Sequence, residues 1–438
     1  MQACRACPRG GCMVIVTTRD DAISAPVGNA GRLANRSARF ACAAFLFVLG
    51  LMLILILTIT VFLPWPLIEL NERRDPALLP SLALLLDKPA LFADRLNRWF
   101  DDRVGLRDPL IRAKNQIDFS VFGTSRKVYV GADGWLFERG TTDARFFLEH
   151  LSEPAFLQVE QSFVQFADLL DRRGIRLVVV GYPDKSMLYP EYLPASVPHL
   201  PRGGKYDRLR QFLGRQPNII FIDAESVLRA AKGKQPLYYM TDIHPTIRGT
   251  ISVVKEIVRR IAAAAGRSDV NWHEQFAWRR VVWDQGAEAR FLAVFSDVGE
   301  WVDYSPDFYA LDKNPPGGHW IKDPRRIDVP GLGQLPIFDW EFVSNANTCA
   351  QRLPGAVLYG NSFSDAYFPL GMYNYFCFLR RARTPRARLA PYVADIPGGT
   401  KYFIYQYTAA YLPGEAPILD ASGTTPDPSQ FWGAATHD

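Results

Sequence analysis

The sequence predicts an α/β protein with a mostly parallel sheet flanked by helices, preceded by one transmembrane helix. Two observations carry this prediction: helix-like and strand-like segments alternate from about residue 154, and an uncharged apolar run fills residues 40–63. Repeated βα units join parallel strands through crossover helices and bury both faces of the sheet. With 438 residues, of which 48% are hydrophobic, the chain can bury a sizeable core.

The apolar run over residues 40–63 is long enough to cross a bilayer, because at about 1.5 Å per residue it exceeds a hydrocarbon core of about 30 Å. Residues 64–66 read Pro-Trp-Pro and offer no small-residue cleavage site, so we expect an uncleaved anchor. Arg36 and Arg39 precede the run, and the positive-inside rule therefore places the N-terminus in the cytoplasm. The body of the protein is then expected outside the cytoplasm.

Composition and charge divide the chain further. Most of the formal net charge of +5 comes from arginines before residue 40, so we expect no general nucleic-acid-binding surface. The predicted segments are a cytoplasmic tail (1–39), a transmembrane helix (40–64), a linker with a short helix (65–90), the α/β domain (91–412) and a flexible tail (413–438).

The cysteines fit this topology. Cys4 and Cys7 lie in the tail without an accompanying histidine, and we predict no metal site there. Cys349 and Cys377 lie in the presumed oxidising compartment, where they either pair or remain two buried thiols.

Hydrophobic periodicity assigns the elements of the domain. Residues 92–117 have apolar residues at helical spacing on both sides of a turn, and residues 128–137 hold two short apolar runs joined by an Asp-Gly turn, which is typical of a hairpin. Residues 265–345 are irregular and rich in tryptophan, and we assign no element to them. The remaining predictions are helices at 156–173, 206–213 and 246–264, and strands at 175–180, 219–222, 356–359, 375–379 and 402–405.

Residues 356–363 (AVLYGNSF) have the pattern of a strand that ends at a nucleophile. Gly360 permits a sharp turn, and Ser362 then lies at the carboxyl end of a strand, where α/β enzymes place reactive groups. We expect Ser364 and Asp365 to cap a following helix. A purely structural turn is the alternative, and the choice depends on finding a partner base.

A candidate base lies upstream in the loop that contains Asp242 and His244. Residues two apart in an extended loop project to the same side, so Asp242 can orient the imidazole that deprotonates Ser362. Asp365 is an alternative orienting acid. We expect surface or core roles for the histidines that have no carboxylate two residues away, which are His150, His199, His273, His319 and His437.

Four stretches follow one another in the chain: residues 128–137, 182–194, 239–244 and 360–364. In this order they resemble the alginate O-acetyltransferase family of the AlgJ/AlgX type, and the resemblance covers about residues 90–410. It implies a fold similar to SGNH hydrolases, with the catalytic triad formed by Asp242, His244 and Ser362.

What the family does is expected here on the strength of that resemblance. It implies a protein of the bacterial inner membrane whose periplasmic domain moves an acetyl group through Ser362 to hydroxyls of an exopolysaccharide. The acetyl donor would be handed over by a multi-spanning membrane acyltransferase, without a soluble cofactor or a metal. A carbohydrate esterase or deacetylase with the same triad and a non-catalytic polysaccharide-assembly protein are the alternatives. Asn361 stands where the family usually has Asp, and we expect Asn361 and Gly360 to support the oxyanion.

Four further residues are candidates for substrate binding. Asp184 and Lys185 follow a predicted strand, and they either orient the substrate or pair with other charges and cap a helix. Arg380 and Arg381 belong to the densest basic run outside the tail, which is either a solvated loop or a contact for an anionic polysaccharide.

Overall fold

The structure is a computed structural model of the chain. It divides into two compact units, one with residues 1–67 and 76–107 and one with residues 68–75 and 108–438. The tails predicted at 1–39 and 413–438 lie outside the described residues. The residues that the structure describes are 40–51, 54, 58, 77–103, 107–233, 235–273, 277–284, 286–304, 317–321, 326–329, 333–336, 340–383, 393 and 396–412.

The first unit is helical where it is described. Residues 40–51 form helix α1, followed by α2 (Leu82–Asp87), which lies in the predicted linker, and α3 (Pro89–Arg103). Among the described residues, no helix combines the length and the apolar character needed to cross a membrane. The span predicted at 40–64 falls only partly on described residues and stays a prediction.

The second unit carries the predicted alternation of helices and strands. Its helices are α4 (Arg107–Phe122), α5 (Arg139–Ala144), α6 (Phe147–His150), α7 (Glu153–Asp171), α8 (Lys185–Leu188), α9 (Lys205–Arg215), α10 (Ala224–Ala231), α11 (Ile247–Ala264), α12 (Ala287–Leu292) and α13 (Ala346–Cys349). Its strands are β1 (Val128–Val130), β2 (Leu136–Glu138), β3 (Arg176–Tyr182), β4 (Ile219–Asp223), β5 (Arg279–Trp283), β6 (Glu300–Tyr304), β7 (Gly318–Trp320), β8 (Arg326–Val329), β9 (Gly333–Pro336), β10 (Trp340–Ser344), β11 (Gly355–Gly360), β12 (Phe378–Arg383) and β13 (Thr400–Thr408).

Seven strands form the central sheet in the order β4-β3-β13-β11-β12-β10-β7. The five strands from β4 to β12 pair in parallel, as the sequence predicted. The other two pairings, β12 with β10 and β10 with β7, are antiparallel. The sheet is therefore mixed. Its antiparallel edge consists of β10 and β7, which lie in the irregular stretch 265–345 where the sequence predicted no strand.

Both faces of the parallel strands are covered. In β3, Val178 and Val180 belong to one buried apolar cluster, whereas Leu177 and Val179 belong to another, as the alternation of side chains along a strand requires. Helix α11 packs into the first cluster and α7 into the second. Continuous apolar strands are therefore stable here because both of their faces are buried.

One local prediction changes in the structure, and one open alternative is decided. The strand expected at 375–379 begins later, at Phe378, after a 3-10 turn at Met372–Tyr375. Cys349 and Cys377 form a disulfide, which connects the segments that lead into β11 and β12. Ser362 follows the carboxyl end of β11, between the two bridged cysteines in the sequence.

Candidate active site

A chain of hydrogen bonds joins the three residues predicted as a triad. His244 Nε2 lies 2.8 Å from Ser362 Oγ, and His244 Nδ1 lies 2.5 Å from Asp242 Oδ1. An ionised carboxylate can only accept, so Nδ1 carries the proton and Nε2 is free to accept the proton of Ser362. The arrangement gives a hydroxyl, a base and an orienting acid in the required order.

Asp242 is held in its ionised form. Burial alone would raise its pKa, but the hydrogen bond and charge of His244, together with the backbone N–H of Ala287, lower that pKa to about 2. The Ala287 N–H donates to Asp242 Oδ2 over 2.7 Å, while Oδ1 also accepts from the backbone N–H of His244. Asp242 is thus an acceptor for His244 at neutral pH.

Ser362 opens a 3-10 turn, Ser362–Ser364, directly after β11. Asn361 caps this turn, because its side-chain oxygen accepts from the Phe363 N–H over 3.0 Å. The prediction that Ser364 and Asp365 cap a following helix is wrong. The turn ends at Ser364, and its cap is Asn361, which precedes Ser362.

Gly360 and Asn361 are fixed by the neighbouring strand β13. The backbone N–H of Asn361 donates to Gln406 Oε1, and its side-chain amide donates to Thr408 Oγ1, both over 3.0 Å. A Cβ at Gly360 would come within 2.7 Å of Gln406 Oε1 and 2.8 Å of Ser364 Oγ, so the position accommodates only glycine without rearrangement. Asn361 thereby supports the turn that presents Ser362.

The loop that carries Asp242 and His244 is held by a buried lysine. Lys185 Nζ donates to the carbonyl oxygens of Tyr239, Met240 and Asp242 at 3.0–3.3 Å, and it forms an ion pair with Glu288. Burial raises the pKa of Glu288 to about 8, although the charge of Lys185 opposes this shift.

A second carboxylate holds the same loop from β6. Glu300 accepts from the backbone N–H groups of Met240 and Thr241, both at 2.8 Å, and from the Thr241 hydroxyl at 2.7 Å. The N–H groups of Glu288 and Ala289 donate to the Thr241 carbonyl. We call this set of contacts, made by Lys185, Ala287, Glu288, Ala289 and Glu300, the loop clamp.

The sequence reasoning missed most of the loop clamp. Glu288 and Glu300 lie in the stretch to which no element was assigned, and no spacing rule connects them with Asp242. Lys185 was singled out, and its contacts match the pairing alternative. Asp184 matches the capping alternative, since its side chain accepts from the Ser186 N–H over 2.9 Å at the start of α8.

Arg380 and Arg381 lie on strand β12, so the solvated-loop interpretation is wrong for both. Arg380 pairs with Glu341 over 3.0 Å, and the buried Arg381 pairs with Asp365 and donates to Ser364 Oγ. These charged side chains can be buried in a strand because acids on adjacent segments neutralise them. The ion pairs of Asp365 are with Arg381 and Arg383, whereas His244 takes Asp242 as its acid.

A pocket of about 160 Å³ opens beside Ser362. The aromatic rings of Tyr239 and Trp283 line it and stack on each other with centroids 5.3 Å apart. The described residues contain no group of histidine, cysteine and acidic side chains suited to a metal ion. The side chains with polar groups that line the pocket are Tyr239, Asp242, His244, Thr250, Trp283, Ser362 and Asp365.

Residues 128–317 match the family described as "SGNH hydrolase-like domain, acetyltransferase AlgX". This range includes Asp242 and His244 and ends before Ser362. The chain is also 27% identical over 189 residues to the "Probable alginate O-acetylase AlgJ" of Pseudomonas aeruginosa, covering 41% of this chain and 45% of that protein. The chain therefore matches about half the length of that curated relative.

Solved structures with similar chains include the O-acetyltransferase domain of Pseudomonas putida AlgJ. It is 16% identical with a TM-score of 0.41, and the match covers 70% of this chain and 97% of that one. Bacillus cereus PatB1 is 14% identical with a TM-score of 0.42, covering 64% and 95%. The family match and the curated relative confirm the resemblance to the AlgJ/AlgX type that the four motifs indicate, and the family match extends over residues 128–317.

Proposed function

We propose that the protein is an O-acetyltransferase that carries the acetyl group on Ser362 and delivers it to a hydroxyl of an exopolysaccharide. The observation that carries the proposal is the hydrogen-bonded order Asp242, His244, Ser362 at a pocket. This order is the one that nucleophilic acyl transfer requires. The substrate class is suggested by the relative from Pseudomonas aeruginosa, which is described as a probable alginate O-acetylase.

In the first half of the reaction, Ser362 Oγ attacks the carbonyl carbon of an acetyl ester while His244 Nε2 takes the hydroxyl proton. The proton then passes to the oxygen of the departing alcohol, and the acetyl group remains as an ester on Ser362. The backbone N–H of Ser362 stands at the first position of its turn, where N–H groups have no intrahelical partner. It is the candidate donor to the developing oxyanion.

In the second half, a sugar hydroxyl attacks the acetyl ester. His244 takes the proton of this hydroxyl and returns it to Ser362 Oγ as the ester bond breaks. The products are the acetylated sugar and the free enzyme, with no net change in protons. Water in place of the sugar gives acetate, which is the esterase alternative, and exclusion of water from the cleft decides between them.

Formation of the acetyl-enzyme tests the proposal. With an activated acetyl ester as donor, mass spectrometry of the peptide containing Ser362 is expected to show one added acetyl group. Fragment ions assign it to Ser362 rather than to Ser364, whose buried hydroxyl donates to the Asn361 carbonyl. Labelling that persists in Ser362→Ala would place the nucleophile elsewhere.

We also propose that residues 40–64 anchor the domain to the inner membrane with the second unit in the periplasm. The uncharged run and the arginines before it support this topology. A multi-spanning membrane acyltransferase would then supply the acetyl group, as the family resemblance implies. A reporter enzyme that is active only after export, fused after Asp438, is expected to be active; activity of a cytoplasm-dependent reporter at the same site contradicts the topology.

A further inference from the structure

A group of exposed leucines follows the predicted transmembrane helix in the first unit. Its members are Leu78, Leu79, Leu82, Leu85 and Leu86, which are 42–89% exposed. Single exposed leucines are common on folded proteins, but several of them close together usually mark a contact with another molecule or with a membrane. The proposed acetyl transfer at Ser362 uses none of these side chains.

Three of the leucines share one side of helix α2 (Leu82–Asp87). Successive residues of an α-helix are about 100° apart, so Leu82, Leu85 and Leu86 lie within one face. Leu84 lies on the opposite side and is only partly exposed, and α2 packs against α3. The face with the three leucines is thus one that α3 leaves uncovered.

The leucines belong to a run without charged residues. Residues 76–86 (PALLPSLALLL) carry no charge, and Asp75 and Asp87 stand on either side of the run. These 11 residues are too few to cross a bilayer, which takes about 20 in a helix. Short segments with one apolar face instead lie along the membrane surface.

The position of the run in the chain keeps it close to a bilayer. The predicted transmembrane helix ends at residue 64, and 11 residues (65–75) separate it from Pro76. Since an extended chain spans at most about 3.6 Å per residue, this connection is at most about 40 Å long. Tethering at this distance makes contact with the bilayer an intramolecular event, so weak apolar contacts are enough to hold the leucines there.

A bilayer suits this face better than a protein partner does. The residues that dominate protein–protein interfaces are tryptophan, tyrosine and arginine, whereas leucine is under-represented among them. Residues 76–86 contain none of those three types. Lipid chains require only apolar area, and leucine side chains supply it without a need for shape complementarity or hydrogen bonds.

We infer that the leucine patch, defined as Leu78, Leu79, Leu82, Leu85 and Leu86, lies on the membrane surface as a second contact beside the transmembrane helix. The inference rests on the proposed topology, which makes the periplasmic leaflet the one that is contacted. A transmembrane helix alone leaves the chain after it free to rotate about the connection. A second contact holds α2 along the surface and keeps α3, which packs against it, next to the bilayer.

Photo-cross-linking of the full-length protein in lipid nanodiscs tests the inference. A photoreactive benzoylphenylalanine replaces one residue at a time, and the nanodiscs contain phosphatidylethanolamine and phosphatidylglycerol. Leu86 is the test position. The control position is Leu157 on α7, an exposed leucine whose neighbours about one turn away, Glu153 and Gln161, are exposed and polar. Mass spectrometry is expected to find phospholipid attached at position 86 with a yield about tenfold or more above that at position 157.

Leu49, in the predicted transmembrane helix, separates the inference from the proposed topology. Phospholipid attached at position 49, with no more at position 86 than at the control, overturns the inference and leaves the topology intact. Phospholipid at position 86 without any at position 49 supports the inference and contradicts the anchor, and its absence at both positions contradicts the two together. A cross-link from position 86 to a second copy or to another segment of the chain, in place of lipid, also overturns the inference.

Leu82→Glu shows whether the leucine patch itself makes the contact. Leu82 is exposed, and a carboxylate at the first position of α2 is favourable for the helix, so the fold stays intact. We expect this variant to lower the lipid yield at position 86 by about fivefold or more, since a charge is costly to bury in lipid. Ala83→Glu adds the same charge about 100° round the helix, beside the patch, and is expected to change the yield by less than about twofold. Equal losses in the two variants overturn the inference.

Discussion

The two halves of the candidate active site come from different kinds of structure. Ser362 follows β11, which pairs in parallel with β13, and the neighbouring Asn361 donates to Gln406 and Thr408 of β13. The loop of Asp242 and His244 is held instead by the loop clamp, much of which comes from α12 and β6. The nucleophile is thus positioned mainly by the backbone pairing of its strand, whereas the base is positioned by hydrogen bonds from a few buried side chains.

This difference determines how sensitive each half of the active site is to a single side-chain substitution. Backbone pairing spreads the support of Ser362 over a whole strand, so a single side-chain change there removes a small part of it. In the loop clamp, Lys185 alone donates to three carbonyl groups and Glu300 alone accepts from three donors. Loss of either side chain leaves several buried polar groups unpaired, and each unpaired group costs about 1–3 kcal/mol.

The largest expected effect on activity is at the triad itself. Asp242→Ala and His244→Ala are each expected to lower acetyl transfer by 10² or more, the range typical of lost acid–base help. Thr408→Val, which removes the contacts of the Thr408 hydroxyl with Asn361 and Gln406 on the strand side, is expected to lower it less than tenfold. Steady-state rates with an activated acetyl ester and a soluble oligosaccharide measure all three. Equal losses would contradict the distinction between base and support.

The next effect concerns stability. Lys185→Met leaves three carbonyl groups and Glu288 buried without their N–H donor, and because each unpaired group costs about 1–3 kcal/mol we expect the free energy of unfolding to fall by about 3–5 kcal/mol. The matched control is Lys232→Met, which removes a partly exposed pair with Glu191 and one hydrogen bond to the Leu188 carbonyl and is expected to cost about 1 kcal/mol. Urea unfolding measures both. A similar loss in the two variants would show that the loop clamp adds no stability of its own.

The pH dependence of stability separates two carboxylates of the site. The pKa of Glu288 is raised from 4.5 to about 8, so the folded state binds more protons and the free energy of unfolding falls as pH rises between these values. The slope is at most about 1.4 kcal/mol per pH unit. Asp242, with its pKa lowered from 3.8 to about 2, acts oppositely and loses its stabilising contribution only as pH falls through that range.

Glu288→Gln is expected to remove the decline between pH 4.5 and 8, and Asp242→Asn to reduce the loss below pH 4. Glu256→Gln, at a partly exposed position on α11, is the control for a general loss of negative charge. Urea midpoints across pH 2–9 measure these slopes. A decline that persists in Glu288→Gln would mean that another group binds the proton.

The smallest expected effect is at the capping residue. Asn361→Asp keeps the oxygen that accepts from the Phe363 N–H, and the Thr408 hydroxyl can donate to the new carboxylate. We therefore expect acetyl transfer to stay within tenfold of wild type, whereas Asn361→Leu, which removes both hydrogen bonds at similar volume, lowers it further. If Asn361→Asp is as inactive as His244→Ala, Asn361 takes a direct part in the reaction.

The sequence predicts the two halves of the active site to different extents. Short apolar runs predict β3, β4, β11 and β13, because buried parallel strands must be apolar on both faces, and a glycine follows the runs of β3 and β11. The proximity of Asp242 to His244 follows from their spacing. Glu288 and Glu300 could not be predicted, since a long-range contact of a buried acid leaves no periodicity in the chain. The β12 arginines were misread because acids from other segments neutralise them.

The most direct test of the account is the fate of the acetyl group in one assay that counts acetylated sugar and free acetate together. With an acetyl ester donor and an oligosaccharide acceptor, the account predicts that wild-type protein places acetyl on the sugar, and that Ser362→Ala, Asp242→Ala and His244→Ala lose this product. Release of acetate at the same rate with and without sugar, with no acetylated sugar, would contradict the transferase and indicate an esterase.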